Sequence, residues 1–464
     1  MKHLVLILLT ATALTACAAT NPGPQSSGID APSAWSKASE GNAALTVDAS
    51  AQVEHQWWTH FADPALDALI TEALQNNKTL AIAKARVEEA RALRGGARSA
   101  LLPQVNATAS AGRGNQGIAA GDTASSLGQA NIEASWELDL FGRNQARLGE
   151  ATAILESEDA GRQAVMVGLL AEVARTYFDL RNNEQQLDIT RRNLETQQKT
   201  LKLIDAQLQG ALASDFDVQR AGAQVSTTEA QLPVLQTAYD ASLNRLNVLL
   251  GKTPGAPLTA LAAKAPFKPL DTKIIVSAPA TVLAARPDVK AAERRFAASI
   301  SAKRSAQADL FPRISLLGLF GLQDTGDVSA NPWSLGASLV QPVLNFGRIS
   351  AQIDAADARE QQAFLSYQQT VLEALENMEN ALSGYLNETG RNLSLNKSVV
   401  QNRKATELAR QQYASGYTGL LDVLVAERNV LDAESALAIS DAKLRTDLVN
   451  IYTAAGGGWD IAAK

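Results

Sequence analysis

The only cysteine of the chain, Cys17, is the residue whose type and position most clearly indicate a chemical modification. It ends the segment Leu14-Thr15-Ala16-Cys17, which follows Lys2 and an apolar run of about eleven residues, too short to span a bilayer. This pattern is typical of a bacterial lipoprotein signal peptide. We predict that residues 1–16 are removed and that Cys17 is acylated. A plain signal peptide with an incidental cysteine is the alternative.

Histidines are few, and the plentiful carboxylates fall on polar faces of the predicted helices, where they usually only contact solvent. His3 would leave with the signal peptide, and His55 and His60 flank Trp57-Trp58 without the spacing of metal ligands. The sequence contains no phosphate-binding loop, dinucleotide-binding glycine motif or serine nucleophile motif. We therefore predict a protein that is not an enzyme, with no catalytic residue, no metal and no cofactor except the lipid on Cys17. The two tryptophans are predicted to be core residues.

The charge and the residue after Cys17 bear on partners and location. The formal net charge of −6 becomes one unit more negative when Lys2 is removed, which gives no support to nucleic-acid binding. Ala18 stands where lipoproteins held at the inner membrane typically carry aspartate. The outer membrane is therefore the predicted location.

The chain contains an internal repeat at a separation of 205 to 209 residues. Several landmarks recur in the same order: Phe141-Gly142-Arg143 as Phe346-Gly347-Arg348, Leu102-Pro103-Gln104-Val105 as Phe311-Pro312-Arg313-Ile314, and Gly210 with Asp217-Val218 as Gly416 with Asp422-Val423. Two copies of one large unit predict a duplicated scaffold with pseudo-symmetry.

Long helices are the main structural prediction. Residues 145–208 lack proline, and residues 349–415 are interrupted only by two glycines, so each segment predicts a helix of roughly 95 Å. Apolar residues at heptad spacing continue past Gly210 and Gly416, which predicts antiparallel hairpins packed as coiled coils. Their positions are Leu187, Leu194, Leu201, Leu208, Val225, Leu232, Tyr239 and Leu246, then Val430, Leu437, Leu444 and Ile451. Another helix is predicted from Pro64 to about Ala100.

Residues 131–140 change to a period of two, with apolar and polar side chains in strict alternation. This period predicts a strand between two different environments, with partners at 103–114, 312–323 and 333–345. A soluble hairpin with one face on a core is the alternative. Four strands of this kind suit the wall of a transmembrane barrel, but about eight are needed to close one. Several chains would therefore share a barrel.

Four stretches carry a resemblance to a known family: Trp57 to Leu66 (WWTHFADPAL), Trp136 to Arg143 (WELDLFGR), Arg286 to Arg294 (RPDVKAAER) and Gly456-Gly457-Gly458-Trp459. With the lipoprotein signal, they make the chain similar to the outer membrane efflux protein family, the TolC-like outer-membrane factors, and to its NodT-type lipoprotein branch. The resemblance covers about residues 55–460. It divides the chain into a signal peptide (1–16), a lipid anchor and tether (17–55), a first repeat (56–262), a linker (263–285) and a second repeat (286–460).

The resemblance implies a mainly α-helical fold with a small β part. Three chains would form a 12-stranded transmembrane β-barrel and a long α-barrel. The implied function is a passive, gated exit duct for small molecules in a tripartite efflux system. Its partners would be a periplasmic adaptor protein and an inner-membrane pump, commonly of the resistance-nodulation-division type. A coiled-coil scaffold lipoprotein without a pore, and a duct for type I protein secretion, are the alternatives.

Site residues also follow from the resemblance, because family members close the pore at the helix tips with rings of acidic residues. Asp422 matches the gate aspartate, while Val425 stands where some members have a second acid, and Asp215 and Asp217 lie in the matching first tip. Helix capping at Ser214-Asp215 is the alternative role for Asp215. The implied adaptor-docking residues are Gly210, Ala211, Leu212, Gly416, Tyr417 and Thr418. The glycines among them also suit the turns themselves.

Overall fold

The structure is a computed structural model that describes residues 22–38, 45–48, 54–114, 125–261, 267–268, 270, 273–326 and 328–459. The predicted signal peptide and Cys17 lie outside these residues. The chain divides into two compact units. Unit 1 comprises residues 1–29, 84–161 and 288–370, and unit 2 comprises residues 30–83, 162–287 and 371–464.

The described residues are mainly helical. The α-helices are α1 (Pro64–Asn76), α2 (Lys78–Ser99), α3 (Arg143–Gln209), α4 (Asp215–Glu229), α5 (Gln231–Leu249), α6 (Pro279–Ala285), α7 (Pro287–Ala308), α8 (Arg348–Ala414) and α9 (Leu420–Ala454). Both predicted long helices are present, and α3 and α8 have 67 residues each. Pro287 begins α7, as proline does readily in the first helical turn, where its missing N–H costs no hydrogen bond.

Two predicted helices are each divided in two. The helix expected from Pro64 to Ala100 breaks at Asn77, whose backbone is extended and whose side-chain oxygen accepts a hydrogen bond from the Leu80 N–H (2.9 Å). The helix predicted to follow the turn at Gly210 ends at Glu229, and a second helix begins at Gln231. Pro233 lies in the first turn of α5, and because proline has no N–H, it cannot donate to the carbonyl of Glu229.

The four predicted strands form one antiparallel sheet in unit 1. The strands are β2 (Gln104–Gly114), β3 (Ser125–Leu138), β5 (Arg313–Asp324) and a fourth that is interrupted into β6 (Ser329–Ala330) and β7 (Trp333–Val340). Their order is β2-β3-β5, with β6 and β7 both paired to β5. Pro332 separates β6 from β7, since proline removes a donor from the ladder. A short parallel pair, β1 (Leu45–Val47) with β4 (Ile274–Val276), was not predicted.

The largest apolar core lies in unit 2 and contains the predicted tryptophan pair. Trp57 is 1% exposed and Trp58 is 7% exposed, which confirms them as core residues. Trp57 stacks on Tyr452, with ring centroids 5.6 Å apart. Tyr177 donates to the carboxylate of Asp63 (2.5 Å), and burial raises the pKa of its hydroxyl. This core packs together parts of α3, α8 and α9, the helices that lead to and from the turns at Gly210 and Gly416.

Candidate functional site: the two helix tips

The first tip joins α3 to α4 through a left-handed residue. Ala211 has φ +57°, its N–H donates to the carbonyl of Leu208 (2.9 Å), and the N–H of Leu212 donates to that of Gln207 (2.7 Å). These bonds satisfy carbonyls at the end of α3 in a Schellman motif. The preceding residue, Gly210, does not have a positive φ. The turn therefore depends on Ala211 and not on the glycine singled out in the sequence.

The second tip joins α8 to α9 with the same motif. Gly416 has φ +75°, its N–H donates to the carbonyl of Tyr413 (3.0 Å), and the N–H of Tyr417 donates to that of Gln412 (2.9 Å). Gly416 thus corresponds to Ala211, 205 residues earlier. Tyr417 is 87% exposed and Leu212 is 82% exposed, so each tip has one large exposed hydrophobic side chain.

Asp217 is the third residue of α4 and closes its N-terminus. The Ser214 hydroxyl and backbone N–H both donate to its carboxylate (2.6 and 3.1 Å), and its own N–H donates to the Ser214 hydroxyl (3.2 Å). This reciprocal arrangement is a capping box. The Ser214 hydroxyl and N–H lower the pKa of Asp217. The capping partner of Ser214 is therefore Asp217, while Asp215 is the exposed first residue of α4.

Asp422 occupies the third position of α9, which matches Asp217. Gly419 stands where the first tip has Ser214, and it provides no side-chain cap. Asp422 instead accepts a hydrogen bond from the hydroxyl of Thr418. Asp422 is exposed, and Thr418, which precedes α9, is half-buried. Val425 is 49% exposed. The structure therefore brings Asp422 together with Thr418, and Asp217 with Ser214.

The two tips pack on each other through a small apolar cluster. Ile204 and Ala221 of the first hairpin meet Leu420 and Leu424 of the second, and all four are under 9% exposed. Tyr413 donates to the side-chain oxygen of Gln207 (2.7 Å), which links α8 to α3. Burial raises the pKa of Tyr413. The tips therefore form one packed assembly within unit 2.

A buried carboxylate lies beside this cluster, and the sequence interpretation missed it. Glu427 is 2% exposed; its Oε1 accepts from Arg410 (2.9 Å) and from the Thr200 hydroxyl (2.9 Å). Its other oxygen, Oε2, is buried without a hydrogen-bond partner in the described part of the chain. Glu427 falls three or four residues from buried Val423, Leu424 and Leu431. An acid on an apolar stripe at this spacing was the signal available in the sequence.

No helix of the described residues combines the length and the apolar character needed to cross a bilayer. Nor do three His, Cys, Asp or Glu side chains of that part of the chain converge as metal ligands would.

Similarity to solved structures identifies the class of protein. The chain superposes on the outer-membrane channel OprN with a TM-score of 0.86 at 34% identity, covering 95% of this chain and 100% of that one. Long paired helices with one antiparallel sheet are therefore the fold of an outer-membrane channel protein.

The chain belongs to the outer membrane efflux protein family, whose profile matches residues 69–252 and 278–457. It is 32% identical to the pyoverdine export outer membrane protein OpmQ of Pseudomonas aeruginosa, over 99% of this chain and 97% of that protein. It is 30% identical to Nodulation protein T of Rhizobium leguminosarum bv. viciae, over 87% of this chain and 84% of that one. The predicted family, the outer-membrane location and the function as an efflux channel are thereby confirmed.

Proposed function

We propose that three copies of this chain form the exit duct of a tripartite efflux system, each contributing four strands to a 12-stranded transmembrane β-barrel. The observation that best supports this proposal is the four-strand sheet. Strands β2 and β7 are its edges, and large apolar side chains of the sheet are exposed. Leu335 is 82% and Leu339 63% exposed on β7. Four strands are fewer than the roughly eight of the smallest barrels. The equal lengths of α3 and α8 support an internal duplication.

The proposed partners are a periplasmic adaptor protein and an inner-membrane pump, of the resistance-nodulation-division type. OpmQ is described as a pyoverdine export protein, which favours small molecules as the exported class here. The adaptor would contact both tips at Gly210, Ala211, Leu212, Gly416, Tyr417 and Thr418. The exposed Leu212 and Tyr417 offer apolar contact area for such a protein.

Acidic residues of the tips are proposed to form the gate. Three copies of Asp422 around a narrow bore would concentrate negative potential and favour cations. Asp217 and Asp215 would add to this field from the first tips. Replacing Asp422 with alanine should raise conductance or lower cation preference. Glu407→Ala is the control, because Glu407 is an exposed acid of α8 that is not part of the proposed gate. Unchanged current and selectivity in Asp422→Ala would remove this residue from the gate.

Acylation of Cys17 is proposed to anchor the mature chain in the outer membrane. Incorporation of labelled palmitate should be lost in Cys17→Ser. Label that persists in this variant would refute the lipoprotein assignment.

The main experiment is single-channel recording of the purified protein in planar bilayers, after its mass in detergent has been measured. Discrete cation-selective openings from a trimer are expected. A trimer that stays silent even as the Asp422→Ala variant, or a monomer, would contradict the proposed duct and favour a scaffold without a pore.

A further inference from the structure

A polar cavity with a volume of about 410 Å³ lies within unit 2, and none of its lining residues belongs to a helix tip or to the sheet. Helices α3, α8 and α9 form its wall together with Arg286, which stands between α6 and α7. Cavities of roughly 300–1,000 Å³ are the size that holds small molecules in proteins. The charged and amide side chains that line it are Arg175, Arg286, Asn377, Asn380, Asp447 and Asn450.

Arg175 of α3 is half-buried and has no acidic partner. Its Nε donates to the side-chain oxygen of Asn450 (3.0 Å), and no carboxylate in the described part of the chain lies within ion-pair distance of its guanidinium. Glu172, whose charge acts on Arg175, already accepts from the Nε of Arg245 (2.9 Å). Burial outweighs that charge and lowers the pKa of Arg175. Since buried charges in proteins are normally paired, the guanidinium of Arg175 is suited to an anion from outside the chain.

The wall of the cavity carries a surplus of positive charge. Arg286 is buried, and its guanidinium donates to the carbonyl of Ala454 (2.8 Å), which fixes it at the wall. Among the described residues that line the cavity, Asp447 is the one acid, and it is buried as well. Both oxygens of Asp447 accept from the ammonium group of Lys443 (2.8 and 3.0 Å). Two guanidinium groups therefore face a single carboxylate whose charge Lys443 already balances.

Amide side chains form much of the remaining wall. Asn377 and Asn380 are exposed on α8, three residues apart and so on one face of the helix. Asn450 joins the charged groups, because it accepts from Arg175 and hydrogen-bonds to Asp447. Amides both donate and accept, and a guanidinium binds a carboxylate through two parallel hydrogen bonds. The volume has room for on the order of ten groups the size of water. This lining and this size suit a small polar organic acid.

We propose that this cavity is a binding site for a small organic carboxylate, with one carboxylate group of the ligand on Arg175. The other polar groups of the ligand contact Arg286 and the amides of Asn377, Asn380 and Asn450. The site goes beyond the proposed duct and does not depend on a trimer, because every lining residue belongs to one chain. A bound acid supplies the carboxylate that Arg175 lacks and connects α3 with α8 and α9. Binding therefore stabilises the folded chain by mass action.

Isothermal titration of the purified full-length protein with citrate, in a buffer without carboxylates, tests this site. Saturable binding of one citrate per chain is expected. Arg175→Gln removes the guanidinium and should weaken binding by about 10- to 100-fold, the effect of a lost hydrogen bond between charged groups. Arg175→Lys keeps the charge without the fork and should bind with intermediate affinity. Arg191→Gln is the matched control, because Arg191 is an exposed arginine of α3 outside the cavity that lies 3.9 Å from Asp188.

Two further ligands test the chemical class. The triamide of citrate has a similar shape without the charges and should not bind, and inorganic phosphate should bind more weakly than citrate. Equal binding of either one would overturn the assignment to organic carboxylates.

The thermal unfolding midpoint supplies a second readout and shows whether each variant is folded. Citrate should raise the midpoint of wild type and of Arg191→Gln, and should raise that of Arg175→Gln much less. Absence of saturable citrate binding to the wild type, or equal weakening in Arg175→Gln and Arg191→Gln, would overturn the site. Either result would leave the proposed duct intact, because mass in detergent and conductance test the duct separately.

Discussion

The two helix tips have the same backbone motif but rely on different residues. The first tip places Ala211 in the left-handed region and closes α4 with the Ser214–Asp217 capping box. The second tip has Gly416 in the left-handed region, and α9 begins without a side-chain cap. One tip thus accepts backbone strain and gains a cap, while the other avoids the strain and lacks the cap. Similar turns can therefore respond differently to the same substitution.

The largest expected effect concerns the buried acid that only the second hairpin has. Its counterpart in the first hairpin, 205 residues earlier, is Gly222. Glu427→Ala leaves Arg410 without its acceptor, while the Thr200 hydroxyl keeps the Thr196 carbonyl (3.3 Å). The substitution should lower the free energy of unfolding by about 2–3 kcal/mol. This is below the roughly 3–5 kcal/mol for fully buried pairs, since the Arg410 side chain is 46% exposed and can hydrate.

Hydrogen exchange of the tip peptides would measure this loss as faster local opening. Glu407→Ala is the control, because its ion pair with Lys404 is exposed and should contribute about 0–1 kcal/mol. Equal effects of the two substitutions would show that Glu427 does not stabilise the hairpins.

Gly416→Ala should destabilise the second tip by about 1–2 kcal/mol, the cost of a left-handed backbone for a residue with a Cβ. No atom lies within 4 Å of the added Cβ, so the effect comes from the backbone alone. Gly210→Ala is the control: its φ is not positive and its nearest contact would be 3.6 Å. Exchange at the C-terminal amides of α8 should speed up, while the control leaves those of α3 unchanged. Comparable losses in both variants would contradict this assignment of the turns.

Ser214→Ala should weaken the first tip by about 1 kcal/mol through loss of the cap. The same bonds lower the pKa of Asp217, so its stabilising effect is complete above the unfolded pKa of about 3.9 and is lost as pH falls through the lower folded pKa. Wild type and Asp217→Asn should therefore differ in α4 exchange at neutral pH and converge in acid. A difference that persists in acid would exclude the charged capping box as its cause.

The smallest effect is a gain. Ala211→Gly removes the left-handed strain and should stabilise the first tip by about 0.5–1 kcal/mol, after part of the gain is lost to the entropy of the unfolded chain. Slower exchange of the Leu212 amide would confirm it. If exchange were instead faster, Ala211 would not be strained.

The long periodic segments were predictable, whereas local exceptions were not. The lack of proline placed α3 and α8 to within two residues at each end. Alternation placed β3, which begins six residues earlier than predicted. The choice between Gly210 and Ala211 as the left-handed residue depends on where α3 stops, and periodicity does not fix the last turn of a helix. The burial of Glu427 was not predicted, because its contact with Thr200 joins residues far apart in sequence.

The break at Ala230 gives the helices after the first tip, α4 and α5, different mechanical properties from α9, the helix after the second tip. In the second hairpin, Ala438 occupies the position equivalent to Pro233, and α9 continues unbroken through 35 residues. A continuous hydrogen-bonded helix resists bending along its whole length, whereas α4 and α5 meet at a point that lacks one bond of the ladder. We therefore expect a displacement imposed on the second tip to be carried along α9, and one imposed on the first tip to be absorbed at Ala230.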